Sequence, residues 1–213
     1  LTYLWPRTYK SSATFLVDKQ VGNAESAALN VLQRLGAGGQ TGTEINLLGS
    51  RSVVEPVVAD LNLPVTVLAD GQEQRPGDVF PGFTASRDAP AGEYELIPSS
   101  AWLYQVRDAK SDSVVAVVSR DSVTHFAGLG LRLPDKLSYT RLVIRVETFP
   151  RTVAAVQQRI AASLVSRESD LIALQCKAST PLGAQQLCDG ISKSYMRLRT
   201  DLHRNLDMAL VQP

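Results

Sequence analysis

Apolar side chains recur at helical spacing along Thr43–Pro64, the longest such stretch in the first half of the chain. Ile45, Leu48, Val54, Val57, Val58 and Leu61 follow the i, i+3, i+4, i+7 template of one buried face. Glu44, Arg51, Glu55 and Asp60 fall off that stripe. Thr43 is placed to cap the first turn, and Leu63-Pro64 ends the helix because a residue before proline avoids the α region. Pro56 interrupts the pattern, since proline inside a helix costs ~3 kcal/mol. Ser52 followed by Glu55 has the form of a capping box. The spacing therefore predicts a break near Arg51–Ser52, with Pro56 in the first turn of a second segment.

Elsewhere the period changes. Ser11–Lys19 alternates Ala13, Phe15 and Val17 with Ser12, Thr14, Leu16 and Asp18 and predicts a half-buried strand. Ala24–Leu35 reads as a short amphipathic helix on Ala28, Val31, Leu32 and Leu35, stopped by Gly36–Gly39. Val65–Leu68, Tyr94–Ile97, Trp102–Val106 and Val114–Val118 read as strands, with Asp70–Pro90 mainly loop and Asp108–Asp112 a hairpin turn. Gly128 and Gly130 mark a turn or bulge around Leu129. In Thr140–Thr148, Leu142, Ile144 and Val146 point one way and Arg141, Arg145 and Glu147 the other. Beyond Pro150, Val153, Val156, Ile160 and Leu164 suggest a helix running to Val165. Asp170–Ala178 follows as a strand, its apolar face made by Ile172, Leu174, Cys176 and Ala178. Thr180-Pro181 opens the last helix, striped by Ala184, Leu187, Ile191, Tyr195, Leu198 and Leu202. The order of elements is that of an α+β fold, a mixed β-sheet base packed with helices.

A chain of 213 residues with 44% apolar and 20% charged residues buries a sizeable core. Twenty-two basic residues against 21 acidic ones leave no bulk charge to attract nucleic acid. No run of ~18 apolar residues is present. LTYLWP, with Tyr3 and Trp5, has the make-up of either a buried strand or the outer end of a membrane helix. His125 and His203 stand far apart, with no H-x-x-x-H or C-x-x-C, so no metal is expected. The glycines before Thr43 lack the lysine of a phosphate-binding loop. G-x-S-x-G is absent, and neither Glu44 nor Glu95 has an identifiable carboxylate partner. No cofactor and no catalytic residue is expected.

Cys176 on its strand and Cys188 on the last helix come to similar heights, both toward the core. A disulfide needs Cα atoms within ~7 Å, tight for a helix lying on a sheet. Two readings stand, a bridge in an oxidising compartment or, favoured by that distance, two buried thiols packing as small hydrophobes.

The stretch TEINLLGSRSVVEPVVADLNL, preceded by a strand opening Tyr9-Lys10-Ser11-Ser12-Ala13, resembles the signature of the bacterial chain-length determinants, or polysaccharide co-polymerases of the Wzz type. It is most similar to the larger members that serve exopolysaccharide export. Tyr195 stands where the family has a tyrosine in the helix leading to its long α-helical hairpin, and Leu206–Pro213 is similar to the family's exit segment. The hairpin itself is missing near Arg204–Asp207. Pro56 and Lys110-Ser111, where the family often has a glycine, are departures from the pattern.

The resemblance implies residues 1–8 as the end of a transmembrane helix, 9–205 as a periplasmic chain-length determinant domain, and 206–213 as the lead into a second membrane helix. It implies a ring-like homo-oligomer in the bacterial inner membrane, with Glu44 and Arg51 as an oligomer contact; an exposed or intrachain ion pair is the plainer role for them. Its implied partners are a polysaccharide polymerase, an outer-membrane export protein, the polysaccharide chain and the membrane. Some members carry a cytoplasmic tyrosine autokinase, whose phosphate-binding motif is not in this chain. The alternatives are a periplasmic polysaccharide-modifying hydrolase and an untethered glycan-binding module.

Overall fold

The computed structural model describes residues 8–16, 40–100, 102–137, 139–166 and 171–211. The expectations for LTYLWP, for the Ala24–Leu35 helix and for its glycine stop lie outside these residues. The fold is α+β, with antiparallel sheets and helices. By internal contacts the chain divides into two compact units. One draws on Leu1–Val57 and Ala155–Pro213, the other is Val58–Ala154. The sequence reading treated 9–205 as a single domain.

In the first unit, β1 (Tyr9–Leu16), β12 (Leu171–Ala178) and β11 (Ile160–Leu164) form a sheet in the order β1-β12-β11. The register sets Phe15 opposite Ile172, Ala13 opposite Leu174 and Ser11 opposite Cys176. Ile172, Leu174 and Cys176 are fully buried, as the alternation requires. The long helix α5 (Pro181–Val211) packs on β1 and β12. Thr180 caps it, its Oγ1 accepting from the Gly183 N–H at 3.0 Å, and Pro181 occupies the first turn at no hydrogen-bond cost. Ala184, Leu187, Ile191 and Tyr195 are buried along its stripe, whereas Leu202 is exposed.

Ile160–Leu164 corrects the sequence reading. The helix α4 (Phe149–Gln158) buries Val153 and Val156 but stops before Ile160. Ile160, Ala162 and Leu164 instead pair across from Cys176, Leu174 and Ile172. A four-residue spacing of apolar side chains fits both a helical turn and alternate strand positions, and the open side of β12 decided between them.

Thr43–Pro64 forms two helices, α1 (Gln40–Leu48) and α2 (Arg51–Asp60). The break falls at Gly49-Ser50, slightly before the expected position. The Ser50 carbonyl accepts from Val53 and Val54 at 3.2 and 3.1 Å, so α2 starts earlier and Pro56 lies inside it, not in its first turn. Thr43 sits within α1 rather than capping it, and no capping box forms, because Glu55 pairs with Arg51 one turn back. The end of α2 is a Schellman motif. Asn62 takes φ 50° and donates to Ala59, and Leu63 donates to Val58, each at 3.0 Å.

The second unit holds a six-stranded antiparallel sheet. Its order is β3-β2-β10-β5-β6-β7, from β2 (Val65–Ala69), β3 (Gln72–Gln74), β5 (Gly92–Pro98), β6 (Leu103–Asp108), β7 (Val114–Ser119) and β10 (Leu142–Val146). A small sheet, β4-β9-β8, comprises β4 (Thr84–Ala85), β8 (Thr124–Phe126) and β9 (Leu129–Leu131). Ile144, fully buried, lies between Val67 and Tyr94. Leu142, Val146, Leu96, Val106 and Val118 extend this core across the sheet, and Leu129, Leu131 and Phe126 join it from the small sheet. Asp70–Pro90, expected mainly as loop, contributes Val79, Phe80, Phe83 and Ala89 to that core, through the one-turn helix α3 (Pro76–Val79) and the segment after it. Its apolar residues lack a period because each is buried by a turn.

The turns carry their own chemistry. The Asp108 carboxylate accepts from the Ser111 and Lys110 N–H groups at 2.8 and 2.9 Å, which hold its pKa below the ordinary value. Asp112 takes the left-handed φ of 55° there. Ala127 and Gly128, at φ 46° and 74°, make the tight β8–β9 turn. Gly130 is required for another reason. A Cβ there would lie 2.6 Å from Thr84 Oγ1 and 2.9 Å from the His125 ring.

Candidate functional site

Within the first unit, three segments that lie far apart in sequence converge on Tyr195. The Phe15 ring from β1 meets the Tyr195 ring edge-on, with centroids 5.5 Å apart and planes at 66°. From α1, Glu44 Oε2 accepts the Tyr195 hydroxyl at 2.5 Å. The phenol is 2% exposed and Glu44 is half-buried. Burial, and then the hydrogen bond and negative charge of Glu44, raise the Tyr195 pKa far above its ordinary value; Arg199 acts in the opposite direction. The phenol therefore stays protonated and donates.

Two helical turns earlier on α5, Cys188 is disulfide-bonded to Cys176 of β12, with Cα atoms 5.5 Å apart. Both are buried. The sequence argument favoured two thiols because a helix lying on a sheet usually keeps a greater distance. Here α5 approaches β12 closely enough to bridge. Gly190 shows equally close packing, since a Cβ there would stand 2.7 Å from Val57 Cγ1 of α2. Gln157 Nε2 donates to the Gly49 carbonyl at 2.9 Å, tying the end of α4 to the break between α1 and α2.

Glu44 and Arg51 thus have separate partners. Glu44 is engaged by Tyr195, while Arg51, on the outer side of α2, pairs with Glu55. Sequence reasoning puts Tyr195 in the buried stripe of the last helix and Glu44 off the stripe of Thr43–Pro64, and misses their bond. The i, i+4 relation of Arg51 to Glu55 was the available signal for the second pair.

Among the described residues, no group of three or more His, Cys, Asp or Glu side chains converges as metal ligands do. His125 lies on β8 of the second unit, against Gly130. In that unit a depression bounded by Asn62, Pro64, Ser86, Arg87 and Phe149 offers about 10 Å³, room for no more than one water. The Arg87 guanidinium lies over the Phe149 ring, 5.4 Å from its centre. The Tyr195 hydroxyl is buried and committed to Glu44. The geometry of the cluster is that of a fastening, joining β1, α1 and β12 to α5 by a ring contact, a charge-assisted hydrogen bond and a covalent bridge.

No protein-family model matches this sequence, and no curated protein matches it. Two crystal structures of Xanthomonas campestris FlgL, in space groups H3 and C2, show a slight likeness. Identities are 13% and 14%, and TM-scores 0.29 and 0.28. The matches cover 63% and 62% of this chain, and 47% and 48% of those chains. The matched region thus spans about half the length of those structures, and a likeness this slight defines neither fold nor role.

Proposed function

We propose that this chain is the periplasmic region of an inner-membrane polysaccharide co-polymerase, a non-enzymatic scaffold. It governs the length of an exopolysaccharide or capsular polysaccharide and supports its export by assembling into a ring. The observation that carries this reading is the convergence on Tyr195. The segments that resemble the chain-length determinants include the strand opening at Tyr9, the Thr43–Val57 part of the helical stretch and the helix of Tyr195, and these pack on one another in the first unit. A signature so scattered along the sequence makes physical sense as one rigid base. The Cys176–Cys188 bridge adds support, because disulfides persist in oxidising compartments such as the periplasm.

In this reading the work is done by self-association. A heterologous contact repeated around an axis closes a ring, and Arg51, whose side chain is 63% exposed, is available to such a contact while Glu44 is held within the subunit. The partners are the polysaccharide polymerase, the outer-membrane export protein and the growing chain.

The test is the size of the protein, expressed with its native flanking segments and extracted in detergent, together with the length distribution of the polysaccharide in cells lacking it. A closed oligomer and an altered length distribution are expected. A monomer that cleaves glycan would put a hydrolase in its place, and a monomer that only binds glycan would put a binding module there.

A further inference from the structure

The two outer strands of the six-stranded sheet differ. At one edge β3 is short and polar, Gln72-Glu73-Gln74, which is how natural proteins blunt an exposed edge. At the other edge β7 runs over Val114–Ser119 with no charge and no proline. Val114 is 49% exposed, Val115 43% and Val117 50%. On its inner side β7 pairs with β6, Ala116 opposite Val106 and Val118 opposite Tyr104. On its outer side no strand shares a ladder with it, because β8 pairs with β9. The Asp108 N–H donates to the Ser113 carbonyl at 3.0 Å, so Asp108, Val106 and Tyr104 turn their backbone groups toward β7, and Ala116 and Val118 turn theirs back. Alternation then directs the N–H and C=O groups of Val115, Val117 and Ser119 outward. Thr124 Oγ1 donates to the Val117 carbonyl from that side at 3.5 Å, and the carbonyl keeps a second lone pair.

The sequence around β7 is symmetric. From Asp112 to Arg120 it reads Asp-Ser-Val-Val-Ala-Val-Val-Ser-Arg, the same from either end except that the terminal charges are opposite. A second β7 laid antiparallel about a two-fold axis at Ala116 sets Val115 against Val117, Val114 against Val118 and Ser113 against Ser119. Ala116, with the smallest side chain of the run, meets its own copy on the axis. Each Asp112 comes toward Arg120 of the second copy. The bulge at Val114–Val115 shortens that arm by about one residue, ~3.3 Å, which an arginine side chain spans. Both charges are available. The Asp112 side chain is 84% exposed, with Arg107 at 3.3 Å as its partner within the chain. The Arg120 guanidinium lies over the Trp102 ring, 5.2 Å from its centre. Among the described residues Arg120 has no acidic partner, and its Nε is buried without a hydrogen bond. A lipid surface or an unrelated strand gains nothing from this symmetry, whereas a second copy matches it position by position, charge included.

We propose that β7 is a self-association edge, on which two copies of this chain pair antiparallel about Ala116 and join their six-stranded sheets into one. Val115 and Val117 form the hydrogen-bonded rungs. Their side chains cover one another on the sheet face opposite the core, since Ala116 and Val118 between them point into it. Asp112 and Arg120 close each end. The contact is isologous. It is separate from the heterologous contact that closes a ring, and it holds whether or not the polymer-length reading does.

Sedimentation of the 213-residue chain over a concentration series is expected to show a monomer–dimer equilibrium. Val117→Lys should raise the dissociation constant by about tenfold or more with the circular dichroism unchanged, because the axis applies the change twice and lysine is a natural guard of sheet edges. Asp112→Asn keeps a residue suited to the left-handed φ of 55° and removes the charge. It should raise the constant by about fivefold in low salt and by less in high salt. Cross-linking reads the register. Under mild oxidation Ala116→Cys should give a covalent dimer, since residues facing each other in a non-hydrogen-bonded pair have Cα atoms about 4.5 Å apart. Ser113→Cys should give none, because its two copies stand about 20 Å apart. A chain that stays monomeric at every concentration overturns the proposal, and one that stays monomeric yet binds phosphatidylcholine vesicles assigns the edge to lipid instead. A dimer indifferent to Val117→Lys, or one that Ser113→Cys cross-links as readily as Ala116→Cys, overturns it too.

Discussion

Tyr195→Phe removes one oxygen and keeps the ring, so the edge contact with Phe15 at 5.5 Å survives while the 2.5 Å bond to Glu44 is lost. A hydrogen bond to a charged acceptor contributes about 1.5–3 kcal/mol. Glu44 is half-buried, and water recovers part of the loss, so a destabilisation of about 2 kcal/mol is expected at neutral pH. For a chain of this length that lowers Tm by roughly 4–8 °C. Urea unfolding followed by circular dichroism measures it. The pH dependence has a definite sign. The folded-state pKa of Tyr195 is raised above its ordinary value of 10.0, so the folded protein holds this proton more tightly than the unfolded chain. The advantage of the parent over Tyr195→Phe is therefore fully present below pH 10 and shrinks as the pH rises beyond it. A double-mutant cycle with Glu44→Gln should return a coupling of about 1–2 kcal/mol. A Tyr195→Phe protein within about 0.5 kcal/mol of the parent, or additive effects of the two changes, would show that the bond does not fasten α1 to α5.

Replacing both Cys176 and Cys188 by alanine frees the short loop they close, and a loss of about 3 kcal/mol is expected, read as a lower urea midpoint that a reductant reproduces in the parent but not in the variant. Gly190→Ala should destabilise by about 1–3 kcal/mol despite the better helix propensity of alanine, because Val57 Cγ1 stands where the Cβ must go; Val57→Ala in the same chain should restore much of the loss, and the absence of rescue would refute the clash. Asn62→Ala should cost about 1 kcal/mol and Asn62→Gly little or nothing, since the left-handed φ of 50° is strained for a Cβ that lacks asparagine's local hydrogen bonding; equal thermal stability of the two variants would argue against it.

The sequence by itself determined the elements whose period matched their surroundings. Leu142, Ile144 and Val146 share one face at strand spacing, opposite Arg141, Arg145 and Glu147, and lie in a strand flanked on both sides. Thr180-Pro181 starts a helix by local chemistry alone, and Asp108–Asp112 turns because an aspartate can satisfy the backbone it folds around. Such features depend on a few adjacent residues, so they are legible without the fold.

Tertiary structure decided what local pattern left degenerate. Ile160–Leu164 became a strand because β12 offered an unpaired edge, and Phe80 and Phe83 were drawn into a core that no periodicity announced. The break between α1 and α2 fell at Gly49-Ser50, where the Ser50 carbonyl was available to the next turn. Above all, Glu44 with Tyr195 and Cys176 with Cys188 were joined by how closely α5 approaches α1 and β12. That separation is the sum of every side chain packed between those elements, and no spacing along the chain encodes it.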